Sequence, residues 1–90
     1  MSTVKFTRAL KRFFPSLEPI EIQGQSISEV IDQVEKIHPG IRDYILDNQG
    51  QVRKHVNVFV DGVMIADRET LSDTVESNSE IYIMQALSGG

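Results

Sequence analysis

The residues best placed to do chemistry in this 90-residue sequence stand at its C-terminus, where Ser88, Gly89 and Gly90 follow a hydrophobic segment. Glycine has no Cβ, so the backbone of another protein can approach these carbonyl groups from either side. In extended form, residues 87–90 can project roughly 13 Å from a preceding strand. A Gly-Gly pair is by itself a weak signal, because a flexible end or an expression remnant has the same sequence. With a strong strand before it and no residue after it, we expect the Gly90 carboxylate to be the working group.

The other residue types that commonly do chemistry form no convincing site. There is no cysteine, which excludes disulfides, thiolate metal sites and cysteine nucleophiles. His38 and His55 have no visible second ligand, so no metal site is predicted. The carboxylates are scattered through turns, and the serines have no general base implied nearby. No phosphate-binding glycine loop is present, so we expect this chain to bind no ATP of its own.

Composition and charge narrow the class of protein further. The net charge is -4 and the pI is about 5.0, which disfavours nucleic acid as a partner. No apolar run approaches the ~18 residues of a membrane span, and residues 1–10 do not resemble a signal peptide. We therefore expect a cytoplasmic protein without a membrane partner.

One basic and aromatic cluster stands near the N-terminus and allows two interpretations. It comprises Lys5, Arg8, Lys11 and Arg12, followed by the pair 13–14, which is Phe-Phe. It could touch RNA by charge and stacking. The overall acidity favours instead a strand end with two phenylalanines in the core.

Hydrophobic patterning predicts the secondary structure. Ser26 and Glu29 form a capping box, and apolar residues at helical spacing then continue to Ile37. Pro39 and Gly40 end this helix after His38. Alternating residues predict strands at 4–10, 18–23, 56–60, 63–65 and 81–87, with a turn at 11–16 and a short helical segment at 41–46.

Two further segments complete the pattern. Asp61-Gly62 predicts a type I′ hairpin between the third and fourth strands. The polar segment 67–79 is predicted to hold one helical turn, anchored by Leu71 and Val75.

This element order predicts an α+β fold of the β-grasp (ubiquitin-like) type. We expect a mixed sheet of four to five strands with one main amphipathic helix covering one face. The first and last strands should pair in parallel at the sheet centre. Residues 1–87 would form the domain and 88–90 a flexible Ser-Gly-Gly tail.

With the terminal Gly89-Gly90, these features resemble the small sulfur carriers of the MoaD/ThiS family over essentially the whole chain. Residues 50–62 (GQVRKHVNVFVDG), preceded by His-Pro-Gly at 38–40, are similar to the cysteine-biosynthesis and molybdopterin-synthase small-subunit branches. Family tails often contain a proline and end in Ala-Gly-Gly, whereas residues 85–90 read QALSGG. This departure leaves the pathway that receives the sulfur open.

The resemblance implies a mechanism. A ubiquitin-activating-type adenylating enzyme would use ATP to convert the Gly90 carboxylate into an acyl-adenylate. A sulfur donor would replace AMP and leave a thiocarboxylate, from which a sulfur-accepting synthase takes the sulfur. The protein would then be a carrier and not a stand-alone enzyme, with Gly89 and Ser88 giving the tail access to the enzyme.

The uncovered side of the predicted sheet is the expected docking surface. Phe59, Met84 and Leu87 are the predicted partner contacts, and Tyr82 is a further candidate. Exposed apolar patches on small proteins commonly mark interaction sites. Some of these residues could instead complete a second small core.

Two other functions remain open at the level of sequence. A ubiquitin-like modifier would share the activation step and would then be conjugated to a lysine amine through Gly90. A non-catalytic β-grasp binding module would not need its tail, so deleting Gly89-Gly90 would leave its function intact.

Overall fold

The computed structural model describes residues 1–85, which form one five-stranded mixed sheet with helices on one side. The predictions for Leu87, Ser88, Gly89 and Gly90, and the predicted domain boundary after residue 87, lie outside the described residues. The elements are β1 (Ser2–Phe6), α1 (Arg8–Lys11), β2 (Ile20–Ile22), α2 (Ile27–Ile37), α3 (Arg42–Ile45), β3 (Val56–Val60), β4 (Val63–Met64) and β5 (Glu80–Gln85).

The strand order is β2-β1-β5-β3-β4, so the last strand occupies the centre of the sheet. β1 and β5 run parallel, from Thr3 opposite Glu80 to Phe6 opposite Ile83, and the other neighbours are antiparallel. This is the predicted β-grasp arrangement, including the parallel pairing of the first and last strands.

The main helix, α2, has the predicted capping box. Ser26 Oγ accepts a hydrogen bond from the Glu29 amide at 3.2 Å, and the Glu29 carboxylate accepts one from the Gln25 amide at 3.3 Å. Its buried stripe ends before Ile37, which is 50% exposed. The helix and the sheet together enclose one core, built from the following fully buried residues: Val4, Leu10, Leu17, Ile27, Val30, Ile31, Val34, Ile41, Ile45, Val56, Val58, Ile81 and Ile83.

The predicted strand at 4–10 is wrong in its second half. β1 ends at Phe6, and Thr7 is the N-cap of α1, whose Leu10 amide donates to the Thr7 carbonyl at 3.1 Å. Leu10 follows Phe6 by four residues, a spacing that is even, as in a strand, and also close to one helical turn. The pattern therefore fits both periods, and Leu10 reaches the core through the helix.

The predicted helical turn within 67–79 is also wrong, although its two anchors are buried. Leu71 and Val75 are each 4% exposed, but Leu71 has a φ of 60° and no helix forms there. The carboxylate of Asp67 instead accepts hydrogen bonds from the amides of Glu69, Thr70 and Ser72. Aspartate side chains that bond nearby amides in this way compete with helix formation.

The two phenylalanines after α1 have different environments, which corrects the prediction that both lie in the core. Phe13 is 52% exposed and stacks on Tyr44 with ring centroids 4.7 Å apart. Phe14 packs against the core and meets Tyr44 edge to face. A surface aromatic partner for Phe13 comes from α3, which the local pattern around Phe13 does not reveal.

Candidate functional site: the open sheet face and the start of the tail

The sheet has one face without a covering helix, and cross-strand register sets its side chains in a row. Val4, Phe6, Ile81 and Ile83 point into the core, so the residues that alternate with them along the strands point outward. Lys5 lies opposite Tyr82, Tyr82 opposite Phe59, and Phe59 opposite Met64. We call this outer surface, with Met84, the open face.

The predicted contacts Phe59 and Met84 both belong to the open face. Met84 is 39% exposed and lies on the central strand, opposite Asn57. Phe59 is half-buried, and both side chains line a shallow cavity of about 170 Å³ together with Tyr82. Phe59, Tyr82 and Met84 are therefore on one surface, and they do not complete a second closed core.

Sequence patterning missed the contribution of the edge strand β4. Val63 is 70% exposed and Met64 is 47% exposed. The Asp-Gly turn predicted the return strand but could not show that it would be the sheet edge. Met64 lies opposite Phe59 and adds apolar surface to the open face, whereas Val63 lies opposite Val60, which packs against the core on the other face.

Two polar contacts hold this surface in shape. Asp61 has a φ of 51° and Gly62 a φ of 85°, both positive as the predicted type I′ turn requires. The Asp61 carboxylate accepts from the Glu80 amide at 2.8 Å, which joins the hairpin to the start of β5. Lys5 forms a 3.1 Å salt bridge with Glu80. Both side chains are substantially exposed, so this pair contributes little to stability.

The end of β5 is bonded to Thr7, the residue between β1 and α1. The Gln85 amide donates to Thr7 Oγ1 at 3.1 Å, and the Thr7 amide donates to the Ile83 carbonyl at 3.2 Å. Thr7 is thus hydrogen-bonded to two residues near the end of β5, Ile83 and Gln85. Gln85, the last described residue, ends the strand at the sheet centre, which has β1 on one side and β3 on the other.

A sequence model of the ThiS family matches residues 4–90, which is nearly the whole chain and includes the terminal Gly-Gly. The chain belongs to the ThiS family. A search of curated protein sequences found no match.

Several solved structures are similar in fold to this ThiS-family chain. A chain of the Amycolatopsis orientalis BexX/CysO complex superposes with a TM-score of 0.85 at 24% identity, with 100% of both chains covered. Mycobacterium tuberculosis CysO gives a TM-score of 0.83 at 19% identity, covering 97% of this chain and 100% of that one. SAMP1 from Haloferax volcanii gives 0.78 at 20% identity, covering 99% and 98%. At these identities the likeness establishes the shared β-grasp fold.

The ionisable groups of this ThiS-family chain with shifted pKa values lie away from the open face. Side-chain hydrogen bonds from Ser72 and Thr70 hold the pKa of the Asp67 carboxyl well below its usual range. Hydrogen bonds from the Gly40 and Arg42 amides lower the pKa of Glu35. Both carboxylates accept bonds from nearby backbone amides and so shape loops.

Within residues 1–85, no group of three histidine or acidic side chains could hold a metal ion. In the same range, no helix has the length and apolar character needed to cross a bilayer.

Proposed function

We propose that this protein is a sulfur carrier that works through the carboxylate of Gly90. The observation that carries the proposal is the ThiS-family match, which runs through the Gly-Gly end of the chain. The fold supports it, because the strand that leads into the tail is the central one and is anchored on both sides. The protein would be a co-substrate of other enzymes and not a catalyst.

The chemistry proceeds in two steps on Gly90. The carboxylate oxygen attacks the α-phosphorus of ATP in a ubiquitin-activating-type enzyme, forming the acyl-adenylate and releasing pyrophosphate. Hydrosulfide from a sulfur donor then attacks the acyl carbon and expels AMP, leaving a thiocarboxylate and one proton. A terminal carboxylate needs such a leaving group, because it is a poor electrophile before activation. The sulfur then passes to an accepting synthase.

The open face is the surface we propose for docking on the activating enzyme. Phe59 and Met84 would contact it directly, and Leu87 would do so at the base of the tail. Gly89 and Ser88 would let the tail enter a narrow channel. ATP would be bound by the partner enzyme.

Intact mass measurement tests the carrier function directly. The purified chain is incubated with the adenylating enzyme of its own organism, ATP and sulfide. We expect a gain of about 16 Da on the C-terminal peptide, replaced by the alkylated mass after a thiol-alkylating reagent, and no cysteine is present to confuse the assignment. A variant lacking Gly89-Gly90 should stay folded and take up no sulfur. An unchanged mass for the wild-type chain under these conditions would contradict the proposal.

A protein modifier is the second candidate, and one comparison favours it. The similar structures include a protein named small archaeal modifier protein 1, from Methanosarcina acetivorans, with a TM-score of 0.79 at 19% identity. A modifier would form an isopeptide bond between Gly90 and a lysine amine. High-mass conjugates that appear in cell extract with the wild-type chain, and not with the truncated one, would assign this function.

A further inference from the structure

Charge is distributed very unevenly along this acidic chain. Four of its nine basic residues, and none of its thirteen acidic residues, lie in the first 17 positions. The four are Lys5, Arg8, Lys11 and Arg12. A protein with a net charge of -4 therefore carries one concentrated basic segment. The sulfur-carrier chemistry proposed for Gly90 does not by itself explain this segment.

The fold places two of these cations, Arg8 and Arg12, beside the end of β5. Arg8 and Arg12 line an open cavity of about 530 Å³ together with Thr7, Ala9 and Gln85. Gln85 is the last described residue of the central strand, and its amide is bonded to Thr7. This bond holds the start of α1 next to the end of β5.

Both arginines are available for an external partner. They are exposed, and neither forms a salt bridge with any residue in the range 1–85, whereas Lys5 is paired with Glu80. Arg12 continues the helical backbone of α1, with φ -62° and ψ -33°, so Arg8 and Arg12 are one turn apart on the same side. We call this pair the arginine patch.

The position of the arginine patch limits what it can bind. Gly90 lies five positions after Gln85, a reach of about 16 Å in extended form. The nucleotide that reacts with Gly90 would therefore lie well away from the patch. When the tail enters an enzyme, the groups that face the arginine patch would be side chains of that enzyme. Of these, carboxylates match guanidinium groups best, because the two groups form two parallel hydrogen bonds.

We infer that the arginine patch binds aspartate or glutamate side chains of the adenylating enzyme, at the rim of the channel that admits the tail. This inference rests on the proposed function and adds to it a charged contact distinct from the apolar open face. The contact would orient the carrier as the tail enters, since complementary charge steers encounter and sets the register of docking.

The test is ATP–pyrophosphate exchange by the adenylating enzyme, with carrier concentration and salt varied. The variants are Arg8→Glu/Arg12→Glu and the control Lys36→Glu/Lys54→Glu, which makes the same change in net charge at exposed sites elsewhere. We expect kcat/KM for the patch variant to fall about tenfold or more and its salt dependence to flatten. The control should stay within about twofold of wild type, because rim charges away from a contact contribute little. Circular dichroism and thermal unfolding check that both variants are folded.

If charge attraction is the cause, kcat/KM for an Arg8→Ala/Arg12→Ala variant should lie between that of the wild type and that of the charge-reversal variant. Equal rates for the wild type and the patch variant would overturn the inference and leave the proposed function standing. An equal loss in the control would also overturn it, because net charge alone would then explain the effect. No exchange with the wild-type chain would overturn the proposed function and this inference with it. Binding of single-stranded RNA that depends on the arginine patch, with exchange unaffected, would reassign the patch to RNA.

Discussion

Single residues in turns determine how the open face is held, and Gly62 is the clearest example. Its φ of 85° is in the left-handed region, while a Cβ added there would meet nothing within 4 Å. The demand for glycine is therefore a matter of backbone conformation and not of space. That separates Gly62 from Gly24, where an added Cβ would lie 3.0 Å from Val30 Cγ2.

Replacing Gly62 by valine should destabilise the protein by about 1–2 kcal/mol, because a β-branched residue is strained at positive φ. Urea unfolding gives the measurement. The matched control is Gly62→Asn, since asparagine tolerates this region and is frequent in type I′ turns. If the valine and asparagine variants unfold at the same urea concentration, the hairpin geometry described here is wrong.

Asp67 organises the loop before β5 through its charge. Its pKa is depressed by hydrogen bonds from Ser72 and Thr70, so the folded state releases the proton more readily than the unfolded chain does. The resulting stabilisation is complete above the unfolded pKa of about 3.9. It is lost as the pH falls below that value toward the depressed folded pKa.

We expect Asp67→Asn to be less stable than wild type at pH 7 and the difference to shrink below about pH 4. The unfolding midpoint in urea, followed from pH 7 to pH 2, measures it. Glu69→Gln serves as control, because the Glu69 carboxylate accepts no hydrogen bond from residues 1–85. A constant difference between Asp67→Asn and wild type at all pH values would show that charge is not the cause.

At the scale of elements, the contact between α1 and the end of β5 connects the two proposed docking regions. Thr7 lies between β1 and α1, as the N-cap of α1, and accepts the hydrogen bond from the Gln85 amide. This one residue therefore connects the helix that carries the arginine patch to the end of β5. Loosening it should affect the order of the strand end more than the core.

The variant Thr7→Val tests this link, since it keeps the β-branched shape and removes only the acceptor. We expect a loss of about 1 kcal/mol in unfolding free energy, because the Gln85 amide loses its partner. Hydrogen exchange at the Gln85 amide should become faster. Thr3→Val is the control, because the Thr3 side chain makes no hydrogen bond within residues 1–85. Unchanged exchange at Gln85 would show that the bond does not order the strand end.

At the scale of the whole molecule, the sheet has one face buried by α2 and one face free for a partner. The free face presents apolar side chains on its central strand and at its β4 edge, and the exposed arginines of α1 lie beside the end of β5. In such surfaces a few central apolar residues carry most of the binding energy, and charges at the rim set orientation. Met84, on the central strand, is the apolar residue nearest to the end of β5 on this face.

Changing Met84 to lysine should raise the KM of the adenylating enzyme for this carrier by about tenfold, the loss typical of a central contact residue. ATP–pyrophosphate exchange measures it. Ile37→Lys is the matched control, because Ile37 is also an exposed apolar residue but belongs to α2 on the other side of the sheet. Similar KM values for Met84→Lys and wild type would remove the open face from the proposed docking surface.

The sequence by itself determined the order of the five strands and the main helix, the α2 cap, the Asp61-Gly62 hairpin and the resemblance to ThiS-family carriers. These features depend on neighbours within a few positions: a serine three residues before a glutamate, or a turn that needs positive φ. Phe59 and Met84 could also be placed on one face, because strand alternation is local. The same local rules failed where Leu10 fits two periods at once and where Asp67 competes with a helix for backbone amides.

Only the tertiary structure decided which edge of the sheet is exposed and which residues lie beside the end of β5. These facts depend on pairing between residues as distant as Thr7 and Gln85, and no local pattern encodes such a contact. The arginine patch shows the consequence. In sequence it is a basic run before two phenylalanines, and its position beside the end of β5 follows from the parallel pairing of the first and last strands.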